Sequence, residues 1–162
     1  RYAQGICDQL LGMVHGCKAF LPLMKRADAG CVINVSSVYG LNASPMQRAW
    51  CAFKFAVRGF SDALRQAVAY LGNNIQVACA LPADVKTAIA QRAKGVLYAK
   101  SESTQMLECE KMQAWFYTSA EQAATDILVG VTKGKIKIHV GRGAGWFDWL
   151  SRLLPVSYSR LF

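Results

Sequence analysis

Residues 36–54, SSVYGLNASPMQRAWCAFK, join a short strand pattern to a long helical pattern. Before them, residues 31–35 form an apolar, β-branched run after Gly30, which is typical of a buried parallel strand. After them, apolar residues recur at i, i+3, i+4 and i+7 from Phe53 to Leu71, the pattern of a helix with one apolar face. We therefore expect a strand that ends at about residue 36, a loop across the top of a sheet, and a helix.

Three side chains in this stretch are of chemical interest. Ser37 follows the predicted strand, at the carboxyl edge where open α/β sheets bind ligands. Trp50 and Lys54 stand one helical turn apart and therefore share a helix face. Taken alone, each also suits a structural role, as a strand cap, a core indole and a solvated lysine.

Several ordered segments together resemble the short-chain dehydrogenase/reductase family, whose catalytic Ser precedes a Tyr-x-x-x-Lys motif. Ser37 stands at the Ser position and Lys54 at the Lys position, while Trp50 occupies the Tyr position. Gln9–Gly12 is similar to the family's Asn-x-x-Gly, with Gln9 at the Asn position. Residues 82–87, PADVKT, are similar to the Pro-Gly-x-Val-x-Thr loop that touches the nicotinamide. The resemblance covers nearly the whole chain.

The resemblance implies a role for each matched residue. The implied catalytic positions are Ser37, Trp50, Lys54 and Gln9, and the implied cofactor contacts are Lys54, Pro82, Val85 and Thr87. Ser37 would orient a carbonyl oxygen, and Lys54 would bind the ribose and lower the pKa of the family's Tyr. An indole N–H does not titrate in water, so Trp50 is not expected to serve as the acid/base. Tyr39 is the nearby phenol that would have to substitute.

The expected fold is α/β, a truncated Rossmann-like doubly wound parallel sheet made of the later strands and their helices. Residues 1–162 are expected to form a single partial domain that lacks the family's glycine-rich cofactor-binding portion, because no such turn links a first strand to a helix. Residues 141–145, GRGAG, follow a strand pattern but place Trp146 where a third glycine is needed, so we predict a loop there. The choice between NAD and NADP stays open.

The remaining segments give the following predictions. Helices are expected at 3–27, at 47–72 and from residue 88 through Lys94, and strands at 31–36, 75–81 and, at a sheet edge, 135–140. Residues 95–117 are implied by the resemblance to be a lid over the substrate. The segment Thr118-Ser-Ala-Glu121 has capping-box spacing and is expected to begin another helix.

Composition narrows the classes of partner. The net charge of +9 comes from 19 basic and 10 acidic residues that are dispersed along the chain, with no aromatic-basic platform, which argues against nucleic-acid binding. The six cysteines form no Cys-x-x-Cys pair and are expected to be buried reduced thiols, and two isolated histidines predict no metal site. Neither a signal sequence nor a membrane span is visible, so a cytoplasmic protein is expected.

Two functions fit these observations. The first is an NAD(P)-dependent oxidoreductase for a small-molecule alcohol or carbonyl substrate, impaired at Trp50. The alternative is a non-catalytic interaction or dimerisation subunit that keeps the fold. The resemblance implies a homodimer or tetramer built on the helices at 3–27 and 47–72. The aromatic tail at 145–162 is expected to pack on the core or a partner in preference to a membrane interface.

Overall fold

The computed structural model describes residues 2–44, 47–86 and 117–160. The elements are helix α1 (Tyr2–Ala27), strand β1 (Gly30–Val35), a 3-10 helix (Val38–Gly40), α2 (Arg48–Tyr70), β2 (Ile75–Pro82), α3 (Ala120–Thr132), β3 (Lys137–Val140), α4 (Ala144–Leu153) and a final 3-10 helix (Ser157–Arg160). The predicted helices at 3–27 and 47–72 and all three predicted strands are confirmed, with boundaries that shift by one or two residues. The predicted helix that ends at Lys94 and nearly all of the lid segment lie outside the described residues.

Among the described residues, three parallel strands form a sheet in the order β1-β2-β3. Gly30 pairs with Ile75 at the start of β1, and Cys79 pairs with Lys137 at the start of β3. The Ser36 amide continues the ladder by donating to the Ala80 carbonyl at 2.9 Å. β3 lies at one edge of this sheet, as its alternating polar residues predicted.

Helices cover both faces of the sheet, which confirms the doubly wound, Rossmann-like prediction. On one face, α3 packs on a core cluster of Ala78, Ala80, Ala123, Ile138 and Val140. The approach is close, since a Cβ at Gly130 of α3 would lie 2.7 Å from the Ile138 side chain. On the other face, α1 and α2 contribute Leu21, Met24, Leu64 and Val68 around Ile75 and Val77.

Two buried polar side chains fasten α2 to the sheet. The Asn34 amide of β1 donates to the Ser61 hydroxyl of α2 at 3.0 Å, and Ser61 in turn donates to the Val57 carbonyl at 2.7 Å. Because buried polar groups need partners, this chain of hydrogen bonds fixes α2 along the strand that ends at Ser37. Gly72, at φ +66°, then ends α2 in a left-handed conformation.

The predicted cap of α3 is wrong by one residue. Ser119, not Thr118, is the N-cap, and its side chain accepts from the Gln122 amide at 3.1 Å. Thr118 instead bridges to Val85, and its hydroxyl donates to the buried Asp84 carboxylate at 2.9 Å. The tertiary contact therefore selects the second of two overlapping capping-box frames.

The predicted loop at 141–145 is only partly correct. Gly141 and Gly143 adopt left-handed conformations with φ near +80°, but α4 begins at Ala144. A Cβ at Gly141 would clash with the Asp84 carboxylate, which explains why glycine stands there.

The cysteines are less uniformly buried than expected. Cys17, Cys51 and Cys79 are buried, whereas Cys31 is half-buried and Cys7 is exposed, and these five are all free thiols. Among the described residues, no group of three or more His, Cys, Asp or Glu side chains is placed to hold a metal ion. No helix in the described ranges has the length and apolar character needed to cross a membrane.

Candidate functional site

The two serines that follow β1 have different roles. Ser36 is buried, and its hydroxyl donates to the Lys54 carbonyl at 2.7 Å, which holds α2 against the strand end. Ser37 caps the first 3-10 helix, where its Oγ accepts from the Tyr39 amide at 3.2 Å. The same hydroxyl donates to the Pro82 carbonyl at 3.3 Å. Ser37 therefore lies at the carboxyl edge of the sheet, between the ends of β1 and β2.

Lys54 lies directly beside this strand end, since its ammonium group donates to the Val35 carbonyl at 3.0 Å. The residue is 8% exposed, an unusual position for a lysine. Burial lowers the pKa of Lys54 to about 8, and a weaker Coulombic effect of Cys79 acts in the opposite direction. The predicted lysine of the site is thus buried and held in place.

Trp50 packs against that ammonium group, as the predicted helix spacing requires. The Lys54 Nζ lies 4.8 Å from the Trp50 ring centroid and 5.0 Å from that of Phe53, and the two rings are 5.8 Å apart. Such contacts stabilise the cation through the ring quadrupoles. The ammonium group therefore faces the rings of both Trp50 and Phe53.

Tyr39 is a poor substitute for the missing phenol. Burial raises its pKa, and the nearby Cys51 adds to this effect, while a hydrogen bond with Ser44 opposes it. Family chemistry needs a tyrosine whose pKa is lowered toward neutrality, because a general acid/base works best near the operating pH. The environment of Tyr39 shifts its pKa in the wrong direction.

The other predicted site residues are distributed as follows. Pro82 ends β2 beside Ser37. Val85 bridges to Thr118 and packs against the core cluster under α3. Gln9 lies in α1 with an exposed side chain, and the hydrogen bonds described for Ser37 and Lys54 do not include it. Thr87 lies outside the described residues.

Asp84 is a feature that the sequence analysis passed over. Its carboxylate is buried, and one oxygen accepts from Thr118, while the other, Oδ2, has no hydrogen-bond partner among the described residues. The only signal in the sequence was an acidic residue in the variable position of the PADVKT loop. The Asp84–Thr118 contact joins the end of β2 to the start of α3.

The tail supports the loop after Ser37, which sequence reasoning also missed. Asn42 donates from its amide to the Phe147 carbonyl at 3.0 Å, and the Phe147 ring packs on Leu41 and Leu81. The Ala43 amide donates to the Tyr158 hydroxyl at 2.9 Å. Asn42 and Ala43 belong to the loop after Ser37, whereas Phe147 and Tyr158 belong to α4 and the final 3-10 helix. These two helices therefore pack beside that loop.

This arrangement can orient a carbonyl and hold a positive charge, but it has no titratable group in the Tyr position. Ser37 supplies a fixed hydroxyl, and Lys54 supplies an ammonium group whose environment is mostly dry. Trp50 can donate a hydrogen bond from its indole but cannot exchange a proton with substrate. The side chain at residue 50 therefore adds no titratable group beside the Lys54 ammonium group.

Comparison with known proteins shows similarity to short chain dehydrogenases. Residues 6–95 match the short chain dehydrogenase family. SadH of Mycobacterium tuberculosis, which is named as an oxidoreductase, is 40% identical over 150 residues that cover 93% of this chain and 53% of SadH. The chain thus spans about half the length of the curated relatives that it matches.

Solved structures show the same fold. A short chain dehydrogenase/reductase from Burkholderia phymatum in complex with NAD superposes with a TM-score of 0.71 at 21% identity, over 93% of this chain and 54% of that protein. A short chain dehydrogenase from Burkholderia cenocepacia in complex with NADP gives 0.70 at 20% identity, over 94% and 55%.

Proposed function

The chain belongs to the short-chain dehydrogenase family, and on that premise we propose that it forms the substrate-side half of an NAD(P)-dependent oxidoreductase. Its reaction is hydride transfer between a nicotinamide and a small-molecule alcohol or carbonyl compound. Ser37 orients the carbonyl oxygen and Lys54 binds the ribose, while Pro82, Val85 and Thr87 belong to the loop next to the nicotinamide. Relatives in complex with NAD and with NADP support a nicotinamide cofactor for the family.

The observation that carries the proposal is the Trp50–Lys54 contact. The Lys54 ammonium group lies 4.8 Å from the Trp50 ring centroid, so residue 50 and Lys54 adjoin each other at the strand end, which supports a common site. A positioned acid/base contributes about 10²–10⁴-fold to rate. With an indole in that position, we expect hydride transfer to be slow by roughly that factor.

The alternative function is a non-catalytic interaction subunit, and one observation favours it. Trp50 and Phe53 fill the space around Lys54 with apolar surface, which suits a packed scaffold better than a proton-transfer site. The helices α1 and α2 would then pair with copies of themselves in a homodimer or tetramer. Leu11, Phe20 and Leu23 leave exposed apolar surface on α1 for such pairing.

The free thiols also bear on location. Five unpaired cysteines among the described residues suit a reducing compartment, which supports the proposed cytoplasmic location.

A chimera separates the two functions. The N-terminal half of SadH, joined to this chain, is assayed for NADH and NADPH binding by calorimetry and for reduction of a panel of ketones. The oxidoreductase proposal expects micromolar nicotinamide binding with slow hydride transfer. A folded chimera that binds no nicotinamide would support the interaction subunit instead. Light scattering on the same samples tests the helix pairing. Phe20→Ser on α1 should lower the measured mass if the helices pair, and Leu128→Ser on α3 is the control that should not.

A further inference from the structure

Helix α4 is fixed to the sheet through one face. Ala144 and Leu150 are buried, and Phe147 packs on the cluster at the end of β2. Asp148, also buried, contacts Lys137 at 3.6 Å, His139 at 3.3 Å and Arg152 at 2.7 Å. These contacts set the rotation of α4, so the orientation of its other face is also set.

The outer face of α4 is apolar and exposed. Trp146, Trp149 and Leu153 recur at i, i+3 and i+7, and they are 58%, 50% and 56% exposed. The two indoles stack on each other, with ring centroids 4.9 Å apart and an interplanar angle of 28°. Leu154 and Val156 extend this apolar surface past the end of the helix. We call these five residues the tryptophan face.

Basic residues occur along the whole chain, but the part that contains α4 has few acidic residues to offset them. Residues 133–162 contain six Lys or Arg residues and one acidic residue, Asp148, which is buried in the ion pairs described above. The basic residues are Lys133, Lys135, Lys137, Arg142, Arg152 and Arg160. The segment therefore combines an exposed apolar face with an excess of cations.

We propose that the tryptophan face docks on the surface of an anionic lipid bilayer. Indoles are suited to the membrane interface because one end is apolar and the N–H can stay wet. Leucine and valine side chains can enter the acyl boundary, and nearby basic residues are attracted to anionic headgroups. A second copy of the chain would bring the same positive charge to the contact, which opposes self-association through this face. A nucleobase could stack on the indoles, but a single strand bound there would leave Leu153, Leu154 and Val156 exposed to water, whereas a bilayer would bury them.

This proposal revises the sequence expectation for the tail. Phe147 and Leu150 pack on the core as expected. The residues of the tryptophan face are exposed instead. The two faces of α4 therefore have different partners: one packs on the sheet, and the other docks on lipid.

The test is flotation of the full 162-residue chain with phosphatidylcholine vesicles, with and without phosphatidylserine. We expect the chain to float only with the phosphatidylserine vesicles and to dissociate in high salt. Trp146→Ser with Trp149→Ser should lower the partition coefficient at least about 10-fold. Tyr70→Ser, which removes a 91% exposed aromatic ring at the end of α2, is the matched control and should have no effect.

Charge is tested separately with Lys135→Gln, which should lower the partition coefficient about 5-fold. The control Lys25→Gln removes the same charge from the C-terminal end of α1 and should change the partition coefficient less. Brominated lipids should quench the tryptophan fluorescence of the wild type more strongly than that of the double variant. Leu153→Ser provides a second route to the same face if the double variant is not folded by circular dichroism.

Three results would overturn the proposal. The first is absence of flotation with phosphatidylserine vesicles, and the second is equal flotation of the double variant and the wild type. The third is a soluble dimer, or binding of single-stranded oligonucleotide, that the double variant abolishes while lipid binding persists.

Discussion

Replacing Lys54 with methionine should change how stability depends on pH. In the unfolded chain Lys54 has its ordinary pKa of 10.5, whereas burial lowers the pKa in the folded chain to about 8. Below pH 8 both states hold the proton, and the folded state carries the cost of a buried charge. Between pH 8 and 10.5 the folded state releases the proton first, so the free energy of unfolding rises with pH.

The magnitude follows from the same two pKa values. One pKa unit corresponds to about 1.36 kcal/mol, so a fall from 10.5 to about 8 corresponds to about 3 kcal/mol. The Trp50 and Phe53 rings stabilise the ammonium group and reduce this figure. We therefore expect the wild type to gain about 2 kcal/mol relative to Lys54→Met between pH 7.5 and 10.

Urea denaturation of both proteins at several pH values measures this difference. The Cys31 thiol, whose pKa is raised by burial alone, titrates in both proteins, so its contribution cancels. Lys25→Met, at an exposed position in α1, controls for the loss of one positive charge. A difference between wild type and Lys54→Met that stays constant from pH 7.5 to 10 would refute the buried, charged lysine.

Three further predictions concern packing, ion pairs and cofactor. Gly40→Ala should lower the free energy of unfolding by about 1–3 kcal/mol, because the new Cβ would lie 2.7 Å from the Lys54 carbonyl oxygen. Gly59→Ala is the control on α2. Its Cβ would meet open space, so the better helix propensity of alanine should raise the free energy of unfolding by about 0.5–1 kcal/mol. Burial raises the pKa of Asp148, but its hydrogen bond with Arg152 and the neighbouring positive charges lower this pKa overall. The carboxylate therefore stabilises the fold above its ordinary pKa of 3.8, and this stabilisation is lost as the pH falls further. The difference in thermal stability between the wild type and Asp148→Asn should shrink over the same range. Calorimetry should show no micromolar binding of NAD(H) or NADP(H) to the chain alone, because its sequence contains no glycine-rich phosphate turn.

Helices α1, α2 and α3 and the three strands were predictable because local patterns determine them. The apolar period from Phe53 to Leu71 matches α2, and the apolar runs at 31–35 and 75–81 match two buried parallel strands. The positions of Ser37 and Lys54 follow from those elements, since a strand end and a helix face locate them. That part of the site needed no tertiary information.

Other features depended on contacts between distant residues. Residues 118–122 contain two overlapping capping frames, and only the bridge from Val85 to Thr118 decides between them. The sequence analysis treated residues 145–162 as one aromatic tail, whereas the ion pairs of Asp148 fix α4 so that Trp146 and Trp149 face outward. The Phe53 ring also lies beside the Lys54 ammonium group, a contact that the apolar period of α2 does not predict.

We propose that residue 50 limits proton transfer at this site, and the most direct test places a phenol there. In the chimera with the N-terminal half of SadH, Trp50→Tyr should raise the rate of ketone reduction at least about 10²-fold, the lower end of what a positioned acid/base contributes. The gain should appear in folded protein with unchanged nicotinamide binding, because residue 50 lies beside the Lys54 ammonium group. Equal reduction rates for the unsubstituted chimera and its Trp50→Tyr variant would contradict the central claim and would make Tyr39 the next residue to replace.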